Sequence, residues 1–422
     1  MRTTAVIIGA GQAGLAASWW LSRRGVDHIV LERGEVANTW RRERWDSLTL
    51  LTPNWQSRLP GFGYEGDRPD AFRTRDETIA FLDAYARHVA PPLRTDCAVT
   101  AVRATSDGYE VQSTDGTWRC RAVVIATGAF NVSHVPAVSQ AVAPEIFQLS
   151  TAQYRSPALL PDGGVLVVGA AASGAQLADE IQRTGRAVTL AVGEHVRAPR
   201  TYRGRDIQWW MDVTGLNDER YDQVENLVRA RNLPSFQIAG YPDRRDIDLN
   251  ALRAIGVRIV GRLAGVRDGK AQISGSLRNV CELADLKMNR LLNVFDEWAI
   301  ASGIGNEVEP PHRFAATHVD GSPPLWLDFA RSGIKTILWA TGFRPDYSWL
   351  DVPVLDPKGN IIHDGGVVAD SPGLYVLGLP FLRRRKSSLI DGVGDDARDL
   401  TAHLVSHVGV RSAPPAVAVE LR

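Results

Sequence analysis

The chain has 422 residues, of which 44% are hydrophobic and 23% charged, an ordinary globular composition long enough for two or three domains with cores of their own. Lys+Arg and Asp+Glu balance at 48 each, so no overall field draws the chain to nucleic acid or to an anionic membrane surface. The three cysteines, Cys97, Cys120 and Cys281, form no CxxC pair, no metal-ligand spacing and no disulfide framework, which fits a reducing cytoplasm and predicts no metal centre.

Thr4-Ala5-Val6-Ile7-Ile8 is a short apolar run of the kind a buried parallel strand requires, and Gly9-Ala10-Gly11-Gln12-Ala13-Gly14 follows it directly. A helix to about Arg24, a stop at Gly25 and a second strand at 28–31 ending at Glu32 complete a βαβ unit. This apolar start lacks a basic leader and has a glycine turn at its middle, so it is not a signal peptide; no other stretch has the length and apolarity of a membrane span. Residues 36–66, rich in Trp, Pro, Asn and Arg, read as loops packed near a ligand. Thr74-Arg75-Asp76-Glu77 has the form of a capping box and opens a helix through Tyr85. Strands at 99–102 and 109–111 are joined by a hairpin turn at Ser106-Asp107-Gly108, and 122–125 returns to the parallel sheet.

After a Pro-Asp-Gly-Gly linker at 161–164 the opening repeats itself. Val165-Leu166-Val167-Val168 leads into Gly169-Ala170-Ala171-Ala172-Ser173-Gly174, a helix ending near Gly185 and a strand at 188–192. The stretch 197–249 is irregular, with helices expected at 209–214 and 219–231. A strand at 257–260 and an amphipathic helix at 279–300 follow. The strand and turn at 336–342 then nearly duplicate 124–128.

The chemistry of both glycine motifs is that of a pyrophosphate, which needs unhindered backbone amides at a helix N-terminus, where the peptide dipoles favour negative charge. Gly9 makes the first turn, Gly11 lets the backbone approach the phosphates, Gly14 lets the helix pack on the strand, and Glu32 is placed for ribose hydroxyls. The second motif keeps Gly169, Ser173 and Gly174 but has Ala171 at the position of closest approach. Beyond Gly193 come Glu194, Arg197, Arg200 and Arg203. Arginines suit the 2′-phosphate of NADPH and Glu194 the free hydroxyl of NADH; the balance favours NADPH, with Arg197 or Arg200 as its contact.

Together, GAGQAG with Glu32, the loop Asn38-Thr39-Trp40, the Ala-Thr-Gly turns at 126–128 and 340–342, GAAASG between them, and the run from Pro372 to Gly378 resemble the class B flavin monooxygenases, of the flavin-containing and indole-pyruvate types, over nearly the whole chain. The resemblance implies an α/β fold of two Rossmann-like dinucleotide-binding domains, the NAD(P)H domain inserted into the FAD domain. The FAD domain would comprise 1–155 and 336–422, and the NAD(P)H domain 156–335. FAD and NADPH, with NADH as the alternative, are the implied cofactors; a small molecule and O2 are the implied substrates, in a cytoplasmic protein with no membrane or nucleic-acid partner and with a homodimer allowed. Trp40, Val99, Thr127, Gly128 and Gly342 would lie with the cofactors, and Asp391 would touch the ribityl chain or pyrophosphate. Asn54 would stand beside the flavin C4a position as the catalytic residue, the alternative being an Asx turn after Pro53.

The implied reaction passes a hydride from NAD(P)H to FAD, forms a flavin C4a-hydroperoxide with O2 and delivers one oxygen atom to the substrate. The family fingerprint F-x-G-x-x-x-H-x-x-x-Y is absent here apart from Tyr154, with Ser150 at the histidine place. That departure keeps open an NAD(P)H oxidase or flavin-dependent dehydrogenase without oxygen transfer, and a redox sensor that binds both nucleotides without turnover. Disulfide reductases carry Gly-Asp where this chain has Gly378-Leu379 and need a redox cysteine pair, which disfavours that branch.

Overall fold

Two five-stranded parallel sheets organise the computed structural model, which describes residues Met1–Gly409. The first sheet begins with Ala5–Ile8 (β1), His28–Leu31 (β2), Leu93–Arg94 (β3) and Ala122–Ile125 (β4). Every residue of β1 is buried, because successive side chains find apolar cover on opposite faces. Ala5 and Ile7 pack with Gln12–Arg23 (α1) and Arg75–Val89 (α2), whereas Val6 and Ile8 pack on an antiparallel sheet containing Val99–Thr105, Gly108–Ser113 and Gly116–Cys120. Thr105 pairs with Gly108, so the turn falls where its residues predict. The capping box of α2 forms in full: the Thr74 hydroxyl accepts from the Glu77 amide and the Glu77 carboxylate accepts from the Thr74 amide at 2.8 Å.

The second sheet holds Phe147–Ser150 (β5), Gly164–Val168 (β6), Val188–Val192 (β7), Arg258–Gly261 (β8) and Ile334–Trp339 (β9), in the order β5-β9-β6-β7-β8. Ala172–Arg183 (α3) and the start of Leu277–Ala301 (α4) cover one face; the hairpin Leu263–Arg267 with Lys270–Ile273 covers the other. The chain then re-enters the first sheet at Leu374–Val376 (β10), giving the order β10-β4-β1-β2-β3, and Ile390–Val408 (α5) lies beside α1. Among the described residues no helix is long and apolar enough to cross a membrane.

The pairing shifts both domain boundaries expected from the sequence. A division at 155/156 and 335/336 would leave β5 outside the second unit and cut β9 in two, yet β9 bonds to β5 on one side and β6 on the other. All of β9 except Lys335 is buried, and removing it would leave the ladder of β6 unpaired inside the core. The crossings lie nearer the two Ala-Thr-Gly turns, where Val132–Ser133 and Phe343–Arg344 pair as a short antiparallel ribbon. Residues 410–422, assigned from the sequence to the first unit, lie outside the described residues.

Two further expectations change. Residues 36–66 are not all loop: they contain the helix Asn38–Arg42 and the strand Thr49–Pro53, which pairs with Phe72–Thr74. The helix expected over 219–231 forms only as Leu227–Arg231. The residues before it run along 383–386 instead: the Tyr221 amide donates to the Arg383 carbonyl, Arg385 to Glu219 and Lys386 to Asn217. A helix through that segment would withdraw these groups from their partners.

Candidate functional site

Both glycine turns open onto one cavity of about 1780 Å³ between the two units. At the first turn Gly9 has φ +107°, and a Cβ there would stand 2.7 Å from the Ala126 carbonyl; a Cβ on Gly14 would collide with the Gly9 carbonyl. Gly14 sits behind the wall and lets α1 close on the turn, while Gly11 lines the cavity and has open space on its Cβ side. The second turn repeats this construction, with Gly169 at φ +108° against the Ala340 carbonyl and Gly174 against the Gly169 carbonyl. The duplicated Ala-Thr-Gly turns thus acquire a physical role, since Ala126 and Ala340 are the surfaces on which the two glycine turns rest. Ala171 fills the place that Gly11 leaves open.

Three helices of twelve or more residues begin at this cavity, as does the short Asn38–Arg42, and none has a side-chain cap: α1 at Gly11 and Gln12, α3 at Ala171 and Ala172, α5 at Leu389 and Ile390. The start of α2, which does not line the cavity, carries a full capping box. Uncapped first-turn amides facing a cavity are donors awaiting an acceptor, and a phosphate suits them. Glu32 is buried, yet lines the same wall; its oxygens accept from the Ala10 amide at 2.8 Å and the Gly34 amide at 3.1 Å, which fixes the carboxylate and leaves lone pairs for a hydroxyl.

Trp40, Val99, Thr127, Gly128, Gly169, Ser173, Gly174 and Gly342 also line the cavity, and Thr127 Oγ1 is enclosed without a partner among the described residues. The sequence reading missed Gln12, whose side chain donates to the Ser388 carbonyl at 3.3 Å, and Gln208, Met211 and Asn217. Asn217 is buried with Nδ2 unpartnered. These three come from an insertion with no periodic pattern, so no sequence signal singles them out.

Four candidates lie elsewhere. Asn54 is not on the wall: its Nδ2 donates to the Arg68 carbonyl at 2.9 Å, its Oδ1 is enclosed without a partner among the described residues, and the Asx turn is not formed. Arg197 bonds to Asp248, Asp285 and the Ala315 carbonyl. Arg200 is wholly buried against Asp206, the Leu51 carbonyl and the Phe72 ring. Both arginines point inward because a buried guanidinium requires counter-charge, supplied to Arg197 by Asp248 and Asp285 far along the chain and to Arg200 by Asp206, six residues on; neither is available to a 2′-phosphate. Glu194, by contrast, lines the cavity, 3.1 Å from Lys287. Asp391 faces a separate cleft with Asp212 and Asp218, held by Arg58 and by Lys386 at 3.5 Å, although Leu389 and Ile390 face the large cavity. The helical turn carries its side chain away.

The basic run 383–386 is neutralised within the fold: Arg384 pairs with Asp396 and Asp399, Arg385 with Glu219, Lys386 with Asp218. His363 lines the cavity, and burial together with the charge of Arg231 pushes its imidazole down to about 4.

A family model described as pyridine nucleotide-disulphide oxidoreductase matches residues 6–213. An uncharacterized CzcO-like oxidoreductase from Geobacillus kaustophilus is 30% identical over 406 residues, 95% of this chain and 98% of the relative. The indole-3-pyruvate monooxygenase YUCCA1 of Oryza sativa is 28% identical, covering 81% of this chain and 84% of its own. Among solved structures, a flavin-containing monooxygenase from Stenotrophomonas maltophilia superimposes with a TM-score of 0.66 at 22% identity, over 96% of this chain and 99% of that one. A bacillithiol disulfide reductase from Staphylococcus aureus gives 0.59 at 13% identity, over 96% and 99%. These structural likenesses show the two-Rossmann fold.

Proposed function

Because the chain belongs to the flavin-dependent oxidoreductases of the pyridine nucleotide-disulphide oxidoreductase family, alongside the CzcO-like oxidoreductases, we propose that it holds FAD at the first glycine turn and a nicotinamide dinucleotide at the second, and transfers one oxygen atom from O2 to a small organic substrate. The observation that carries this reading is the pair of matching, uncapped turns on one cavity of about 1780 Å³. Single-ligand pockets span about 300–1,000 Å³, so this one has room for two dinucleotides.

The residues present fit both groups. The first-turn amides of α1 would take the FAD pyrophosphate and Glu32 its ribose, and the uncapped start of α5 would offer its amides to the flavin. The start of α3 with Ser173 takes the second pyrophosphate. Glu194 is the acidic group nearest that ribose in sequence, and Arg262, whose side chain covers Gly193, is not on the wall; the cofactor expected is therefore NADH rather than NADPH. Bound FAD supplies hydride acceptance and O2 activation. The chain's own work is to align the two ligands, to exclude water with Trp40, Phe343 and Phe381, and to offer Thr127 Oγ1 and Asn217 Nδ2 as enclosed donors.

The test is oxidation of NADH by the purified yellow protein under labelled O2 with a panel of amines, sulfides, ketones and organic acids. Label in an organic product supports oxygen transfer. Peroxide in full yield with every compound would replace it with the oxidase reading, which the missing fingerprint favours: Ser150 and Tyr154 are buried, and neither lines the cavity. A disulfide-reductase reading lacks its redox pair, since Cys97 is the one cysteine on the cavity wall among the described residues, and burial pushes the Cys120 thiol up to about 12 and that of Cys281 to about 11.

A further inference from the structure

Arg44 is a cation at the cavity wall with no acidic partner among the described residues. Its guanidinium lies 5.9 Å from the centre of the Trp40 ring and 5.6 Å from that of Phe343. Trp40 belongs to the first unit, in the helix Asn38–Arg42; Phe343 belongs to the ribbon by which the chain leaves the second. The one hydrogen bond the guanidinium makes runs from Nη1 to the carbonyl of neighbouring Glu43, at 3.0 Å. The Glu43 carboxylate is engaged by Arg33 at 2.9 Å, and the other charge felt nearby, Arg155, is also positive.

Of the other arginines of the wall, Arg33 pairs with Glu43 and Arg385 with Glu219, while Arg231 has no acidic partner among the described residues and donates to the Phe381 carbonyl at 3.3 Å from the second unit's own insertion. Arg44 alone among them has its guanidinium within reach of two rings, one from each unit, and its Nε and Nη2 make no hydrogen bond among the described residues. A charge withdrawn from bulk water without a counter-ion is costly, and nothing in the fold beyond the two rings and one carbonyl offsets that cost.

Its place in the fold indicates what does. Phe343 directly follows Gly342, and Ala340, two residues earlier, is the surface on which Gly169 rests. The Phe343 ring beside Arg44 is therefore three residues along the chain from the support of the second glycine turn, where Ala171 leaves the backbone less open than Gly11 does in the first.

We propose that Arg44, carried by the first unit, is the counter-cation for the pyrophosphate of the dinucleotide bound at the second turn, so that this ligand staples the two units together. The inference rests on the reading of the second turn as a nicotinamide dinucleotide site. A guanidinium presents paired N–H donors to phosphate oxygens, a geometry a lysine lacks.

The experiment titrates the flavin-loaded full chain with NADH, ADP-ribose and adenosine by calorimetry, the last two reading binding without turnover because they carry no hydride. R44Q is expected to weaken NADH and ADP-ribose about 10- to 100-fold, as for loss of a charged hydrogen bond, with adenosine affinity, flavin content and melting temperature unchanged. R44K recovers only part of the loss. Unaltered ADP-ribose binding by R44Q and R44K overturns the assignment, as does loss of flavin with ADP-ribose affinity intact. A wild-type chain that binds flavin but neither NADH nor ADP-ribose sinks the reading of the second turn, and this inference with it.

Discussion

A methyl group on Gly14 would sit on the Gly9 carbonyl, whereas one on Gly11 would meet open space. Gly14→Ala is therefore expected to cost about 1–3 kcal/mol and to strip flavin from the purified protein, while Gly11→Ala, which copies Ala171, keeps the fold and weakens flavin retention. Flavin content and melting temperature of the two variants check the contrast, and equal behaviour would contradict it. These glycines were legible because the motif is local: turn, approach and packing lie within six residues. Arg197 and Arg200 were not, because the acids that turn them inward, Asp206, Asp248 and Asp285, come from other elements. Arg200→Ala is expected to destabilise the chain by about 3–5 kcal/mol in urea unfolding and to leave the NADH-to-NADPH affinity ratio unchanged. Glu194→Gln should narrow the preference for NADH and leave stability nearly untouched.

Helices with clear apolar periodicity were readable along their length, and α4 departs from the expected 279–300 by only a few residues. The basic run 383–386 was not readable in the same way, since a charge cluster in sequence looks solvated until its counter-charges are in place. In the folded chain it pairs side by side with 217–221, so the insertion of the second unit straps the segment that leads into α5. Glu219→Ala removes the Arg385 pair, which is one-third exposed, and is expected to cost no more than about 1 kcal/mol. Limited proteolysis should nonetheless cut faster between 219 and 236, and an unchanged cleavage rate would mean that the backbone bonds alone hold the strap. The helix expected over 219–231 failed for the same reason, because backbone partners 150 or more residues away in the chain outbid local helical bonds.

The repeat of βαβ units was visible in the whole molecule from the sequence, but the assignment of β5 and β9 to the second sheet was not. Hydrophobic runs identify strands without naming their neighbours, and only the pairing register does so. The pH dependence of stability also belongs to the molecule as a whole. His363 is neutral in both states above its ordinary value of 6.5; between 6.5 and about 4 the unfolded chain takes up a proton that the folded chain refuses. Stability therefore falls as pH drops through that window, by at most about 3 kcal/mol from this residue, and is lost no further below it. Burial pushes His28 and His195 down as well, so His363→Gln should flatten the slope of unfolding free energy between pH 4 and 6.5 without abolishing it. An identical slope in the variant would show that other groups carry the acid response.

Val132–Ser133 and Phe343–Arg344 run past each other hydrogen-bonded, so the chain leaves the first sheet and comes back to it at a single doorway. The ends of everything threaded through that doorway are neighbours in space. A tight turn joining Ser133 to Phe343 would close the first unit upon itself without severing any of its five parallel strands, and a foreign βαβ cassette spliced at the same two points would find its termini already gathered. In an architecture wired this way, the whole second unit can be exchanged by swapping one contiguous block of sequence while the first keeps its register.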